Sequence, residues 1–320
     1  MLNTSVIICT HNPRPDYLVR VFDALKKQTL PKEEWELLLV DNASTGRLAE
    51  TWGLIWHPRA RHIREDELGL TPARLRGIKE SCGDLLVFVD DDNVLAPDYL
   101  QTARALVVEH PYLGVFGAGI LEPEFEVQPP PELFPHLGRL ALRRVSTALW
   151  SNNANDYVCV PWGAGLCVTR LVAENYPQFV RQLNVTELLD PRGEQLFGEG
   201  DVAFSWVSVE GGHGFGVFPT LQVTHLISAD RLNQRYFLRL VHDRYFSAGV
   251  LHYLQAGISP CDSRSRAERY LRMILHGVKN GLFSMRLRWA ASRGSDDANH
   301  YILEQKLRPL DQGRPTCQVS

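Results

Sequence analysis

Three observations predict an α/β fold for this 320-residue chain, with a mainly parallel central sheet flanked by helices. Apolar runs alternate with helical patterns over residues 1–121. The runs are continuously apolar rather than alternating, as expected for strands buried on both faces. Short polar segments, several of them acidic, follow the runs on what would be one rim of the sheet.

TSVIICT (Thr4–Thr10) is the first strand, and DYLVRVFDALKKQ is a helix in which Leu18, Val21, Phe22 and Leu25 recur at helical spacing. WELLLVDNAS is a second strand ending in turn-forming residues, and RHIRE a weaker third. GLTPARLRGIKES is helical with Pro72 in its first turn. DLLVFVDDD is the fourth run, APDYLQTARALVVEH a helix with Pro97 near its start, and LGVFGAGIL (113–121) a fifth strand. After Leu121 the pattern breaks. EPEFEVQPPPELFP reads as a loop or lid, LGRLALRRVSTALW as a helix and SNNAND as a polar loop. PWGAGLCVTR is a short strand whose glycines let the backbone approach something closely. RLVAENYPQF is a helix, FGEGDVAFSWVSVEGG an acidic loop running into a helix, and FGVFPTLQVTHLI a strand pair ending at His225. Residues 230–291 are helical, with Tyr236, Leu240, Tyr253, Leu254 and Leu271 available for packing, and the last thirty residues read as polar and loosely ordered.

Composition is that of a soluble globular protein, 44% hydrophobic and 22% charged. The formal net charge of -3 conceals an asymmetry: residues 231–320 carry 15 Lys and Arg against 7 Asp and Glu, and residues 1–230 carry 19 against 30. A basic tail on an acidic body suits contact with an anionic surface, or simply solvated helices. Cys9, Cys82, Cys159, Cys167, Cys261 and Cys317 show no C-x-x-C pairing, which points to a reducing compartment without structural zinc. The first strand begins too early for a signal peptide, and no apolar run is long enough to cross a membrane.

The chemistry-bearing residues gather where strands of a parallel sheet end, the usual place for ligands. Thr10, His11 and Asn12 follow the first strand, Asp41 and Asn42 the second, and Asp90, Asp91 and Asp92 the fourth. Single acids at strand ends often serve only as turn or cap residues. Three in a row are different: a helix dipole offsets under about 1 kcal/mol. Hard divalent ions take carboxylates together with substrate phosphates. Gly198-Glu199-Gly200-Asp201 supplies a second acidic cluster, fit for a general base or for capping the helix that follows. His225 alone reads as a satisfied polar residue. No phosphate-binding G-x-x-x-x-G-K-[ST] loop, dinucleotide fingerprint or G-x-S-x-G elbow is present. Arg264, Arg266, Arg269 and Arg272, interleaved with Tyr270, Leu271, Met273 and Ile274, suit either an amphipathic helix on a membrane surface or a helix packed on its own domain.

Over residues 5–226 these segments resemble, in order, the family 2 glycosyltransferases of the GT-A fold. SVIICTHNPRPDYLVRVFDAL matches the opening strand and T-x-N turn, WELLLVDNAS the second strand, and GLTPARLRGIKESCGDLLVFVDDDNVLAPDYL the block leading into the D-x-D motif. PWGAGLCVTR, GEGDVAFSW and THLI match the G-A-G strand, the acidic catalytic motif and the late histidine. The resemblance implies that Thr10, Asn12, Asp41, Arg74, Asp90 and Asp91 bind a nucleotide-sugar. Asp92 and His225 would hold Mn2+ or Mg2+, and Trp162, Gly163 and Gly165 would line the sugar pocket. Asp201, with Glu199 as rival, would be the base of an inverting transfer. Two departures stand out. Gly200 separates the Glu and Asp that are usually adjacent, and the common A-R-N reads Ala73-Arg74-Leu75.

The implied organisation is a nucleotide-sugar-binding half (1–121), an acceptor-binding and catalytic half of the same domain (122–229) and a helical extension (230–320). The implied partners are a nucleoside-diphosphate sugar, UDP-linked in the commonest case, and a glycan or lipid-linked acceptor of surface polysaccharide synthesis. Nucleic acid is not among them. The protein is expected in the cytoplasm, with peripheral contact to the inner membrane face through the basic C-terminal helices. A nucleotidyltransferase would need a glycine-rich first loop, which CTHNPRP is not. A non-catalytic sugar-nucleotide or glycan-binding protein would bind nucleotide without depending on Asp201.

Overall fold

In a computed structural model the chain is described at residues 3–183, 185, 188–189, 196, 198–260 and 266–310. Strands β1 (Thr4–Thr10), β2 (Trp35–Asn42), β3 (Ala60–Glu65) and β4 (Leu85–Val89) pair in parallel in the order β3-β2-β1-β4. They are joined by helices α1 (Pro15–Lys26), α2 (Leu48–Thr51) and α3 (Leu70–Glu80). Alternate strand residues pack to opposite sides, as a two-residue period requires. Ile7, Leu38, Leu86 and Phe88 meet α3, whereas Val6, Ile8, Leu37 and Val87 meet α1. Both faces are buried, and that is why these strands read as unbroken apolar runs.

Beyond β4 come β5 (Asn93–Leu95), helix α4 (Tyr99–Glu109) and β6 (Leu113–Phe125). Pro97 lies outside α4, whose N-cap is Asp98. Strand β6 continues through Glu122–Phe125, where the sequence reads as loop. The predicted helix over 137–150 does not form. A 3₁₀ segment, Pro131–Leu140, is followed by two short strands, β7 (Arg143–Arg144) and β8 (Leu149–Ser151), which pair with β6 and the last strand respectively. Arg143, half-buried, and Arg144, exposed, are cations that suit a short edge strand. Strand β9 (Leu166–Thr169) runs antiparallel between β4 and β6, followed by α5 (Arg170–Leu183) and α6 (Gly200–Glu210).

The predicted strand pair after α6 is one strand, β10 (Gly214–Ile227), parallel to β6 with its register broken between Phe218 and Gln222. Pro219, which has no N–H to give the ladder, lies in that break. On its other edge β10 pairs antiparallel with β5, setting His225 opposite Asn93.

Helices α7 (Gln234–Ala256), α8 (Arg266–Asn280) and α9 (Leu282–Glu304) complete the chain. The region read as loosely ordered is thus helical to Glu304, because Ala298 and Ile302 are buried against α7 and the sheet-side core. Phe283 and Leu287 pack on Leu133, Leu140 and Phe237. Among the expected packing residues Leu240 and Leu254 are buried, but Leu271 is 59% exposed. Cys159 and Cys167 are buried, Cys82 is exposed, and Cys261 and Cys317 lie outside the described residues, as does Arg264. The side chains of Arg266 and Tyr270 do too.

His242 of α7 latches to α9 through Asp297 Oδ2 at 2.9 Å, its other ring nitrogen held by the neighbouring Asp243 Oδ1 at 2.8 Å. The hydrogen bond to Asp243 raises the imidazole pKa above 6.5, against the opposing effect of burial, with help from Asp297. A raised folded-state value means that the stabilisation is full below 6.5 and is lost as pH rises through it. His242→Gln should therefore lower the melting temperature most in mildly acidic buffer, and the difference from wild type should shrink in mildly alkaline buffer.

Candidate active site at the strand ends

Strand register assembles the rim. Thr10 is level with Asp41, and Asp41 with Arg64. Ile8 is level with Val89, so continuing that ladder brings Thr10 beside Asp91. The Thr10 hydroxyl donates to Asp91 Oδ2.

Asp41 is buried and fully engaged. Oδ1 accepts from Ser44 N at 3.1 Å, Oδ2 accepts from Leu48 N at 3.1 Å, and Arg64 Nη1 lies 2.9 Å from Oδ2. Burial opposes its charge, but the Leu48 amide, the Ser44 hydroxyl and Arg64 outweigh that and hold its pKa below the ordinary value. Asn12, in the left-handed region at φ 48°, accepts from Thr45 N at 2.9 Å through Oδ1. Both residues therefore shape the loop after β2, and Asn42 does the same one turn on, accepting from Gly69 N at 2.8 Å.

Arg74 is the centre of the site. It rises from α3 over the Phe88 ring, only 4% exposed. A Cβ at Gly163 would lie 2.9 Å from its Nη2, and one at Gly200 2.7 Å from its Nη1. The guanidinium thus threads between two glycines. Burial disfavours its charge, and Asp90 foremost, with Asp201 further off, restores it and keeps it above the ordinary arginine value.

The three aspartates do not titrate alike. Burial and the neighbouring Asp92 charge push Asp90 up, against Arg74. Burial pushes Asp91 up to about 7 despite the Thr10 hydrogen bond, with Asp92 and Asp90 adding to the rise. Asp92 is half-buried, and although desolvation opposes its charge, a hydrogen bond from His225 and the charge of Arg231 hold it low. Arg231, which sequence reasoning overlooked, lies in a 3₁₀ turn just after β10. Its Nη1 donates to Asp92 Oδ2 at 3.1 Å and lies 3.2 Å from His225 Nε2.

Asp92 Oδ2 and His225 Nε2 stand 3.3 Å apart. That is the spacing of adjacent corners in an octahedral sphere with bonds of about 2.0–2.3 Å. Buried His225 Nδ1 has no partner among the described residues. No group of three or more His, Cys, Asp or Glu side chains poised for a metal occurs among the described residues. The donor set therefore fits a divalent ion as two protein ligands, the others being phosphate oxygens and water, provided Arg231 withdraws.

Across the site, Asp201 sits in the first turn of α6. Oδ1 accepts from Val202 N at 2.8 Å and Oδ2 from Gly163 N at 3.2 Å. Burial raises its pKa, with Arg74 and then Arg244 of α7 pulling the other way. Glu199, at the helix N-cap position, is pushed up to about 8 by burial and by the Asp201 charge, with Arg244 opposing. Trp162 carries Arg143 over its ring at 4.1 Å. Gly165 does not face the site: at φ +73° its carbonyl accepts from the Tyr99 hydroxyl at 2.5 Å, and a Cβ there would strike that same ring. It was expected to line the sugar pocket; its position instead secures β9 against α4. Arg231, Arg244 and Gly200 join the site unforeseen, and only Gly200 carried a signal, as the residue separating Glu199 from Asp201.

Residues 5–152 match glycosyl transferase family 2. Poly(ribitol-phosphate) beta-N-acetylglucosaminyltransferase TarS of Staphylococcus aureus is 27% identical over 140 residues, covering 41% of this chain and 24% of TarS. Glycosyltransferase AglE of Haloferax volcanii is 33% identical over 91 residues, covering 28% of this chain and 30% of AglE. The chain thus spans about a quarter of the length of the first of these relatives. Mannosyltransferase PcManGT from Pyrobaculum calidifontis, solved with GDP-Man and Mn2+, shares the fold at a TM-score of 0.51. It is 16% identical, over 95% of this chain and 75% of that one. The curled mixed sheet with its acidic rim is the GT-A fold that PcManGT shares, and residues 5–152, a little under half of the chain, are similar to glycosyl transferase family 2.

Proposed function

We propose that the protein transfers a sugar from a nucleoside diphosphate sugar to an acceptor hydroxyl, with inversion, using Mn2+ or Mg2+. The observation that carries this reading is the convergence of Asp90, Asp91, Asp92, Arg74 and Asp201 on one rim, acids on both sides of a buried arginine.

In this reading the nucleotide lies over Thr10 and the loop that Asn12 and Asp41 shape. Asp41 acts on the base through that loop, since both its oxygens are already engaged. Arg74 faces the diphosphate. Asp91, which shares a proton near neutral pH, meets a sugar hydroxyl. Asp92 and His225 hold the metal, which when bound neutralises charge developing on the leaving diphosphate. Trp162 and Gly163 border the sugar.

Asp201 is the general base. Two backbone amides orient its carboxylate, and it takes the acceptor hydroxyl proton as the oxygen attacks the anomeric carbon. The bond to the diphosphate breaks on the opposite face, so the configuration inverts. Glu199 retains a proton below its value of about 8 and is therefore a poor base at neutral pH. TarS is named for N-acetylglucosamine and a poly(ribitol-phosphate), and PcManGT was solved with GDP-Man. UDP-N-acetylglucosamine is thus the first donor to try and GDP-mannose the second, with a surface glycan or lipid-linked saccharide as acceptor.

Calorimetric titration of UDP, GDP and dTDP with and without Mn2+ tests the donor side. One nucleotide should bind, and only with metal; no binding under either condition would refute the reading. Asp201→Asn should then lower kcat about 10²–10⁴-fold with nucleotide affinity unchanged. An equal loss in Glu199→Gln alone would reverse the assignment. Glu199 also predicts a pH effect on stability. Its folded-state value is raised from 4.5 to about 8, so its penalty is absent below 4.5 and complete above 8. Glu199→Gln should gain melting temperature over wild type progressively across that window. Arg231→Ala frees both metal donors. Mn2+ binding without nucleotide, read by electron paramagnetic resonance, should tighten about tenfold, the size of a charge-assisted hydrogen bond.

A further inference from the structure

Helix α8 turns an apolar stripe outward. Leu271, Ile274, Leu275 and Val278 recur at helical spacing and are 52% to 83% exposed. Leu282 follows just beyond the Gly281 break, 68% exposed. The opposite side of α8 is already committed: Arg269 Nη1 holds Asp296 Oδ1 of α9 at 2.7 Å, and a Cβ at Gly277 would lie 2.9 Å from Met285 Sδ. The stripe is therefore presented by a helix whose inward side is fixed.

Charge says what the stripe meets. Arg272 and Lys279 flank it, both exposed. From Arg269 to residue 295 the chain has five arginines and one lysine and no Asp or Glu. No helix among the described residues is long and apolar enough to cross a membrane. A narrow aliphatic ridge edged by cations suits an interfacial helix, buried about 5–10 Å at the headgroup boundary. A stable protein partner needs roughly 800 Å² per side, more than five side chains on one 15-residue helix and its end supply.

We propose that the outer face of α8 docks on an anionic phospholipid bilayer, with Leu271, Ile274, Leu275 and Val278 entering the interface and Arg272 and Lys279 on the headgroup phosphates. Docking by this face is independent of glycosyl transfer.

The full chain is sedimented with phosphatidylcholine vesicles, with and without phosphatidylglycerol. Binding is expected only with the anionic lipid, weakening as salt is raised. Arg272→Gln with Lys279→Gln should cost about fivefold per charge. Leu275→Glu with Val278→Glu should lose at least about tenfold. Circular dichroism and melting of each variant verify folding, and the charge pair carries the test should the glutamate pair unfold. Equal binding to both vesicle types, no binding to either, or wild-type binding by the glutamate pair would overturn the proposal. So would a dimer without lipid that the glutamate pair dissolves, since that would assign the face to a second copy.

Discussion

A buried guanidinium with acids from two parts of the chain around it is the constraint on which the site depends. Removing a cation from water costs several kcal/mol even after relaxation, so Arg74 is tolerable only where carboxylates reach it. Asp90 arrives from the end of β4 and Asp201 from the start of α6, more than a hundred residues later. Neither acid is well placed alone, since burial raises the pKa of each. Arg74 opposes that rise in both acids, and through the three side chains the parallel sheet is tied to α6. Gly163 and Gly200 follow from this, because any side chain there would meet the Arg74 nitrogens.

The triple aspartate is stable for a related reason. At an effective dielectric constant near 20, two unit charges 4 Å apart repel by about 4 kcal/mol, well above what a helix dipole returns. The protein divides the burden unevenly. Asp92 stays ionised against His225 and Arg231, whereas Asp91 rises to about 7 and binds Thr10. Arg231 occupies the corner next to the two candidate metal ligands, so the cation it supplies and the cation the site invites compete for the same oxygen and nitrogen. The site thus carries its own counter-ion.

What the sequence disclosed was whatever local pattern controls. Four strands, helices α1 and α3 and the rim acids were readable because apolar runs, turn residues and parallel register are short-range features, whereas the four-residue α2 is too short to show a period. Strand β5 escaped because Asn93–Leu95 is too short to show periodicity, and without it nothing in the sequence joins His225 to Asp92, 133 positions apart. Arg231 looked like any surface arginine for the same reason. The stretch over 137–150 has helix-forming leucines, but pairing with β6 and β10 overrode that propensity. The hydrogen bonds of Asn12 and Asp41 to the loop after β2 were not legible, since which donor fills a carboxylate's lone pairs is a property of the folded loop.

The one departure in the acidic motif can be given a cause. With glutamate and aspartate adjacent, the residue between them in this chain would not exist, and the backbone at the head of α6 would carry a side chain where Arg74 Nη1 now lies. Placing glycine at 200 lets the guanidinium come in against the helix start, below Asp201. Glu199 is then left one residue outside the helix, half-buried, where desolvation and then the Asp201 charge raise its pKa to about 8. The same glycine thereby separates the two acids in role as well as in position. Asp201 accepts from the Val202 and Gly163 amides in the first turn of the helix, whereas Glu199 stands at the N-cap position before it.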